Sequence, residues 1–141
     1  MPPGAVVVDT MIASAWLGVR ASQRRARWAP LLERSAWVLP FSVVAEMRFG
    51  AEVAGWGARR RAMLDRLVVR SAVMPPLDEV TAAYVDLRTW CVRNGHGLGA
   101  KDHEADRWVG AVAVAASLPL ASDDANFDGV PMIRQAYPDE A

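Results

Sequence analysis

Asp9, Glu46, Asp106 and Asp124 are the residues of this chain whose type and setting could do chemistry. Asp9 follows Ala5-Val6-Val7-Val8, Glu46 stands among Val43, Val44 and Met47, Asp106 opens an alanine- and valine-rich run, and Asp124 follows Leu118-Pro119-Leu120-Ala121-Ser122. Burying one unpaired carboxylate is costly, and gathering several adds mutual repulsion. A divalent cation removes both objections. If the four converge, they form an oxygen-only site for magnesium or manganese, and hydrolysis of a phosphodiester is the leading chemistry.

Each acid also has a plainer explanation. Asp9 can cap the helix that follows it. Glu46 can reach an arginine such as Arg48. It falls outside a capping box, because Ala45 occupies the third helical position. Helical spacing puts Val43, Gly50 and Val53 on its face, which is expected to be the apolar one. Asp106 can answer a helix macrodipole, yet it shares a face with Val109, Gly110 and Ala113, while Glu104 and Arg107 point elsewhere. Gly50 and Gly110, one turn beyond their acids, are expected to leave room for a metal and its waters. Asp123-Asp124-Ala125-Asn126 is good turn material, and Asp128-Gly129 reads as a plain turn.

The elements that must position these acids follow from the pattern. Ala5–Val8 reads as a buried strand, followed by a helix over Met11–Val19 and an arginine-rich helix over Ala21–Glu33. A strand over Ala36–Leu39 is closed by Pro40. Ser42 is the expected N-cap of a helix over Val43–Ala54, and Arg59–Leu67 is a further helix. Val68-Val69 or Ala72–Met74 supplies a short strand, Asp78–Val92 a helix, and Asp102 or His103 caps a helix running to Ser117. Pro119–Ser122 is a strand, and Met132-Ile133 a last one. Strands alternating with helices predict an α/β domain with a parallel sheet covered on both faces.

The 141 residues suit a single domain, 1–141, and 52% hydrophobic content excludes a disordered chain. No signal peptide is visible, and the longest apolar stretch, Val109–Ala121, is broken by Ser117 and Pro119. A soluble, cytoplasmic protein without a membrane segment is expected. The single cysteine, Cys91, reads as a core thiol. Net charge is zero but uneven: Arg20 to Arg70 carries eleven arginines against four acids, whereas Ser71 to the end carries five basic and eleven acidic residues. That asymmetry suits an anion-attracting surface beside a cation-binding pocket. Trp16, Trp37 and Trp90 are expected in the core. Trp28 and Trp56, among arginines, are the tryptophans placed to contact RNA. His96 and His103 lack zinc-site spacing, and His103 reads as a cap or surface group.

The ordered set of acids resembles the PIN-domain ribonucleases, in particular the VapC-type toxins of bacterial toxin–antitoxin pairs. Val6-Val7-Val8-Asp9-Thr10 resembles the opening strand with its first acid and the hydroxyl that follows. Ser42-Val43-Val44-Ala45-Glu46-Met47-Arg48-Phe49-Gly50 resembles the second motif. His103-Glu104-Ala105-Asp106-Arg107-Trp108-Val109-Gly110-Ala111 resembles the third, and Leu118 to Phe127 the last, with Ser122 at the small-hydroxyl position. Two positions depart: Val112 stands where many relatives have threonine, and Asn126 where an Asp often precedes the phenylalanine. Register makes Asp124 the fourth acid, with Asp123 a substitute.

The resemblance implies a three-layer α/β/α PIN-like fold with a central parallel sheet. It implies a homodimer, a tight complex with a cognate VapB-type antitoxin, and Mg2+-dependent (or Mn2+-dependent) endonucleolytic cleavage of RNA. Asp9 and Asp106 would be the primary metal ligands, Asp124 would add to the site, and Glu46 would hold or deprotonate the attacking water. The alternative is a non-catalytic RNA- or partner-binding module of the same fold. An aspartyl-phosphate phosphatase would carry a second Asp where Met11 stands. A receiver domain would carry a lysine at a late strand end, but Lys101, the only lysine, precedes a helix.

Overall fold

The structure, a computed structural model, describes residues 4–18 and 22–139. Four strands, β1 (Ala5–Val8), β2 (Ala36–Pro40), β3 (Ala72–Met74) and β4 (Leu120–Ala121), form one sheet in the order β3-β2-β1-β4, and every pairing is parallel. Six α-helices flank it: α1 (Thr10–Ser14), α2 (Gln23–Leu32), α3 (Phe41–Val53), α4 (Ala58–Arg70), α5 (Asp78–Arg93) and α6 (Glu104–Ala116). This is the expected three-layer α/β/α arrangement. All four residues of β1 are buried, as a strand covered on both faces requires. Each fully buried Val or Leu of such a core contributes about 1.5–3 kcal/mol.

Chain order makes the site. From β1 the chain steps outward through β2 to β3, then returns through α5 and α6 to place β4 on the other side of β1. The connections leaving β1 and β4 therefore diverge, and a crevice opens beyond the carboxyl ends of these two strands. Asp9 and Ser122 stand at those ends.

Several expected boundaries shift. The first helix is short and continues as a 3-10 turn over Ala15–Leu17, and the expected ends at Val19 and Ala21 lie outside the described residues. Helix α3 starts at Phe41 with Pro40 in the cap position. Ser42 is thus inside the helix instead of capping it, and its buried hydroxyl has no hydrogen-bond partner. The last strand expected at Met132-Ile133 is instead a single parallel bridge between Leu120 and Gln135, with Leu120 N–H donating to Arg134 O (2.9 Å) and Ala136 N–H to Leu120 O (2.8 Å).

Two face assignments are corrected. The core stripe of α3 is Val43, Val44, Met47 and Ala51, so Gly50 and Val53 face outward and Phe49 is 70% exposed. Apolar residues ring most of α3, and spacing alone does not choose which stripe is buried. Arg107, expected to point away, is only 1% exposed. Trp28 is a core residue and not an RNA-contacting one, whereas Trp16, Trp37 and Trp90 pack against the core as expected. Trp56 is half-buried, with the Arg60 guanidinium 4.0 Å from its ring centre.

Neither glycine serves to make room for a metal: Gly110 is tightly packed and Gly50 faces outward. A Cβ on Gly110 would meet Ile133 Cδ1 at 2.9 Å and Leu87 Cδ2 at 3.0 Å, so the residue allows α6 to pack closely against α5 and the C-terminal segment. A Cβ on Gly50 would meet nothing within 4 Å. Gly110→Val is therefore expected to destabilise by about 1–3 kcal/mol through overpacking. Gly50→Ala is expected to stabilise by up to about 1 kcal/mol through helix propensity. Urea unfolding of the two variants checks both signs.

Candidate functional site

The four acids converge, and neutral groups join them into one hydrogen-bonded chain. Asp9 continues the β1–β4 pairing, its N–H donating to Ala121 O (3.1 Å). Its carboxylate accepts from the Thr10 N–H at Oδ1 (2.8 Å) and from the Ser122 hydroxyl at Oδ2 (2.7 Å). Capping and convergence therefore coexist in this residue. Thr10 extends the chain to α3, where its hydroxyl donates to Glu46 Oε2 (2.7 Å). On the other side Ser122 Oγ accepts the Asp124 N–H (3.0 Å), and Asp124 Oδ1 accepts the Asn126 N–H (2.9 Å). The Asn126 side-chain amide crosses to α6, its Nδ2 donating to Asp106 Oδ2 (3.2 Å) and lying 3.5 Å from Asp124 Oδ2.

Exposure grades along this chain. Asp9 is 8% exposed, Asp106 and Asp124 are half-buried, and Glu46 is exposed. Burial pushes the Asp9 carboxyl above its ordinary value of 3.8. The Ser122 and Thr10 bonds pull it down, and Asp106 and Asp124 push it up again. Asp106 is likewise raised, first by burial. The Asn126 amide lowers it, Asp124 raises it, His103 lowers it and Glu46 raises it. Each acid thus feels at least one other. Among the described residues none of the four has an arginine or lysine ion-pair partner; the one basic neighbour is His103, with Nδ1 3.6 Å from Asp106 Oδ2.

Asp123 does something else. Its carboxylate turns toward α2 and accepts from Arg24 Nε, Arg27 Nη1 and Trp28 Nε1, each at 3.0 Å. The choice between the neighbouring aspartates is thereby made by geometry: Asp124 faces the other acids, and Asp123 locks the loop to the molecule. Arg107 anchors the opposite wall. Its buried guanidinium donates to Leu98 O (2.9 Å), to Ala100 O and to the Tyr84 hydroxyl (3.1 Å), fixing the segment that leads into α6. His96 Nδ1 accepts the Leu98 N–H (3.1 Å) and Nε2 meets Asp128 O (2.6 Å), which assigns the neutral tautomer protonated at Nε2 and ties this segment to the loop after Asp124. Cys91 is fully buried, and burial pushes its thiol up, with Arg107 pulling it down; it is inert core.

The bonding roles of Thr10, Ser122, Asn126 and Arg107 went unread in the sequence, although the first two stand in the hydroxyl positions of their motifs. Nothing in the spacing marks Arg107 as buried, since it adjoins solvent-facing Glu104 and half-buried Asp106.

As the side chains lie, no three acids, histidines or cysteines among the described residues form a set that could hold one ion. The donor chemistry nevertheless fits a hard divalent cation, being carboxylate oxygen throughout. Glu46 is exposed and Asp106 and Asp124 are half-buried, whereas Asp9 is nearly buried and held by two bonds.

The raised Asp9 value sets a sign for stability. The folded protein holds this proton more tightly than the unfolded chain, so without metal the group favours folding at low pH. That contribution is lost as pH rises from 3.8 through the raised value. Asp9→Asn is therefore expected to melt higher than the parent in EDTA at neutral pH, with the difference shrinking as pH falls below 3.8. Melting curves at neutral pH and in acid check it.

A parallel sheet with acids gathered beyond the ends of β1 and β4 defines a class of α/β domain built to present carboxylates at a strand switch point. The PIN-domain family profile matches residues 6–132, and the chain belongs to that family. No protein of curated function matches the sequence. Solved structures share the fold at low identity. A chain of VapBC2 from Rickettsia felis, bound to a promoter DNA fragment, superposes with a TM-score of 0.77 at 17% identity, covering 94% of this chain and 97% of its own. VapBC from Salmonella typhimurium, bound to DNA, gives 0.77 at 19%, covering 94% and 96%. FitAcB from Neisseria gonorrhoeae gives 0.75 at 23%, covering 94% and 97%. Among the described residues no helix is long and apolar enough to cross a membrane.

Proposed function

We propose that this chain is a VapC-type toxin, a metal-dependent endoribonuclease that acts on cellular RNA in the cytoplasm and is neutralised by a cognate VapB-type antitoxin. The observation that carries the reading is the single hydrogen-bonded chain from Glu46 through Asp9 and Asp124 to Asp106. It gathers four carboxylates that, among the described residues, have no arginine or lysine ion-pair partner. Full-length similarity in fold to chains of VapBC and FitAcB complexes supports the toxin class and the antitoxin partner. A homodimer is part of the same proposal.

Asp9 and Asp106 are the residues that would hold magnesium or manganese, with Asp124 completing the set. Bound there, the ion would supply Lewis acidity, lowering the pKa of a water and offsetting charge on the phosphoryl oxygens. The protein's own groups do the rest. Ser122 and Thr10 fix Asp9 so that it pays no rotational entropy when the substrate arrives. Glu46, exposed and oriented by the Thr10 hydroxyl at Oε2, would accept a proton from the attacking water. Arginines of the first half supply phosphate contacts that position the strand without reading its sequence.

Asp9→Asn and Asp106→Asn are each expected to lower RNA cleavage by at least about a hundredfold while keeping the native circular dichroism spectrum. Cleavage by the parent should stop in EDTA and return with magnesium. Asp124→Asn should be impaired, and Asp123→Asn should cleave RNA but melt lower, since it loses the Arg24, Arg27 and Trp28 contacts. The absence of a ready three-ligand set favours the second reading, a non-catalytic binding module. RNA bound with or without metal but never cleaved would establish it.

A further inference from the structure

The Asn126 side-chain amide lies against the carboxylates of two of the four acids, and it stands where a carboxylate would make a fifth. Its Nδ2 lies 3.2 Å from Asp106 Oδ2, 3.5 Å from Asp124 Oδ2 and 3.3 Å from His103 Nδ1, while its backbone N–H caps Asp124 Oδ1. An amide nitrogen carries two N–H donors, so one side chain can offer a proton to each carboxylate. An aspartate there would have the same shape, no donor when ionised, and a negative charge at hydrogen-bond distance from two others. Like charges so close cannot all ionise freely.

We infer that Asn126 is a positioning residue that clamps Asp106 to Asp124 before any cation is present and, by being neutral, sets the site's affinity for divalent ions. The inference rests on the metal-binding reading above and deepens it. The clamp bridges two elements: Asp106 rides on α6, and Asp124 sits in the loop after β4. Without the amide, Asp124 keeps the bond from the Asn126 backbone N–H and Asp106 keeps the nearby His103 ring, but nothing joins the two carboxylates and they repel each other. With a carboxylate in its place, repulsion in the empty site grows, and so does the attraction for a cation, because affinity for hard cations follows the number of charged ligands. The two substitutions therefore push metal affinity in opposite directions, which loss of a merely structural contact would not do.

The test is manganese binding to the full chain, read by titration calorimetry and by the electron paramagnetic resonance signal of free Mn2+, together with melting in EDTA. Asn126→Asp is expected to bind Mn2+ about tenfold tighter than the parent, and Asn126→Ala several-fold weaker. Asn126→Asp should melt below the parent in EDTA and regain the difference when Mn2+ is added, because ligand binding to the folded state raises its stability. If the parent binds Mn2+ and both variants bind it with the parent's affinity, the clamp is refuted while the metal reading stands. If the parent binds no Mn2+, the metal reading fails and the inference falls with it. Should Asn126→Asp not fold, Asn126→Ala still decides: unchanged affinity refutes the clamp and weaker binding supports it.

Discussion

Asp9 is a carboxylic acid seated at the edge of the core. Its backbone continues the pairing of β1 with β4, its side chain is nearly sequestered, and its near neighbours include acids that raise its proton affinity. Burial and like charge both oppose ionisation, and two short hydrogen bonds oppose them in turn. The surrounding architecture can be understood as the means of keeping those two donors in place. Thr10 is fixed as the first residue of α1, and Ser122 as the residue where β4 ends. A parallel sheet with a switch in strand order brings these two starting points side by side, which a meander would not.

The groups that stabilise the site's frame are distinct from those that line it. Arg107, His96 and Asp123 all lie within a few residues of the acids or of their loops, yet each turns away and satisfies backbone carbonyls or a neighbouring helix. A buried guanidinium without a carboxylate partner is costly unless its donors are used, and here carbonyl and hydroxyl oxygens use them. Among the described residues this arrangement leaves the four acids without an arginine or lysine ion-pair partner.

The alternation of strands and helices and the four acids were legible in the sequence because they rest on short-range signals: β-branched runs, turn residues, and acids embedded in apolar text. What was not legible depended on three-dimensional choice. Helix α3 is apolar around most of its circumference, so the spacing that placed Glu46 with Gly50 and Val53 chose a stripe that faces outward. Ser42 carried the right chemistry for a cap, but Pro40 and β2 set the helix start two residues earlier than a serine cap allows. Trp28 lay among arginines in the sequence, yet its ring is taken by the core and its indole N–H by Asp123. Asp123 and Asp124 are indistinguishable by type; only the twist of the loop after β4 separates them.

Strand β4 is two residues long, and its outer edge is covered by the chain's own return, through the bridge from Leu120 to Gln135 and the burial of Ala136. These residues lie past the stretch that the family profile matches. Such a short strand has few ladder bonds of its own, and an unpaired edge invites pairing with another chain. Trimming the molecule after position 132, or fusing a bulky tag close behind it, would therefore loosen the seat of the Ser122 hydroxyl and expose a sticky margin. Damage at the tail would then surface as lost chemistry and as self-association, far along the chain from Asp9.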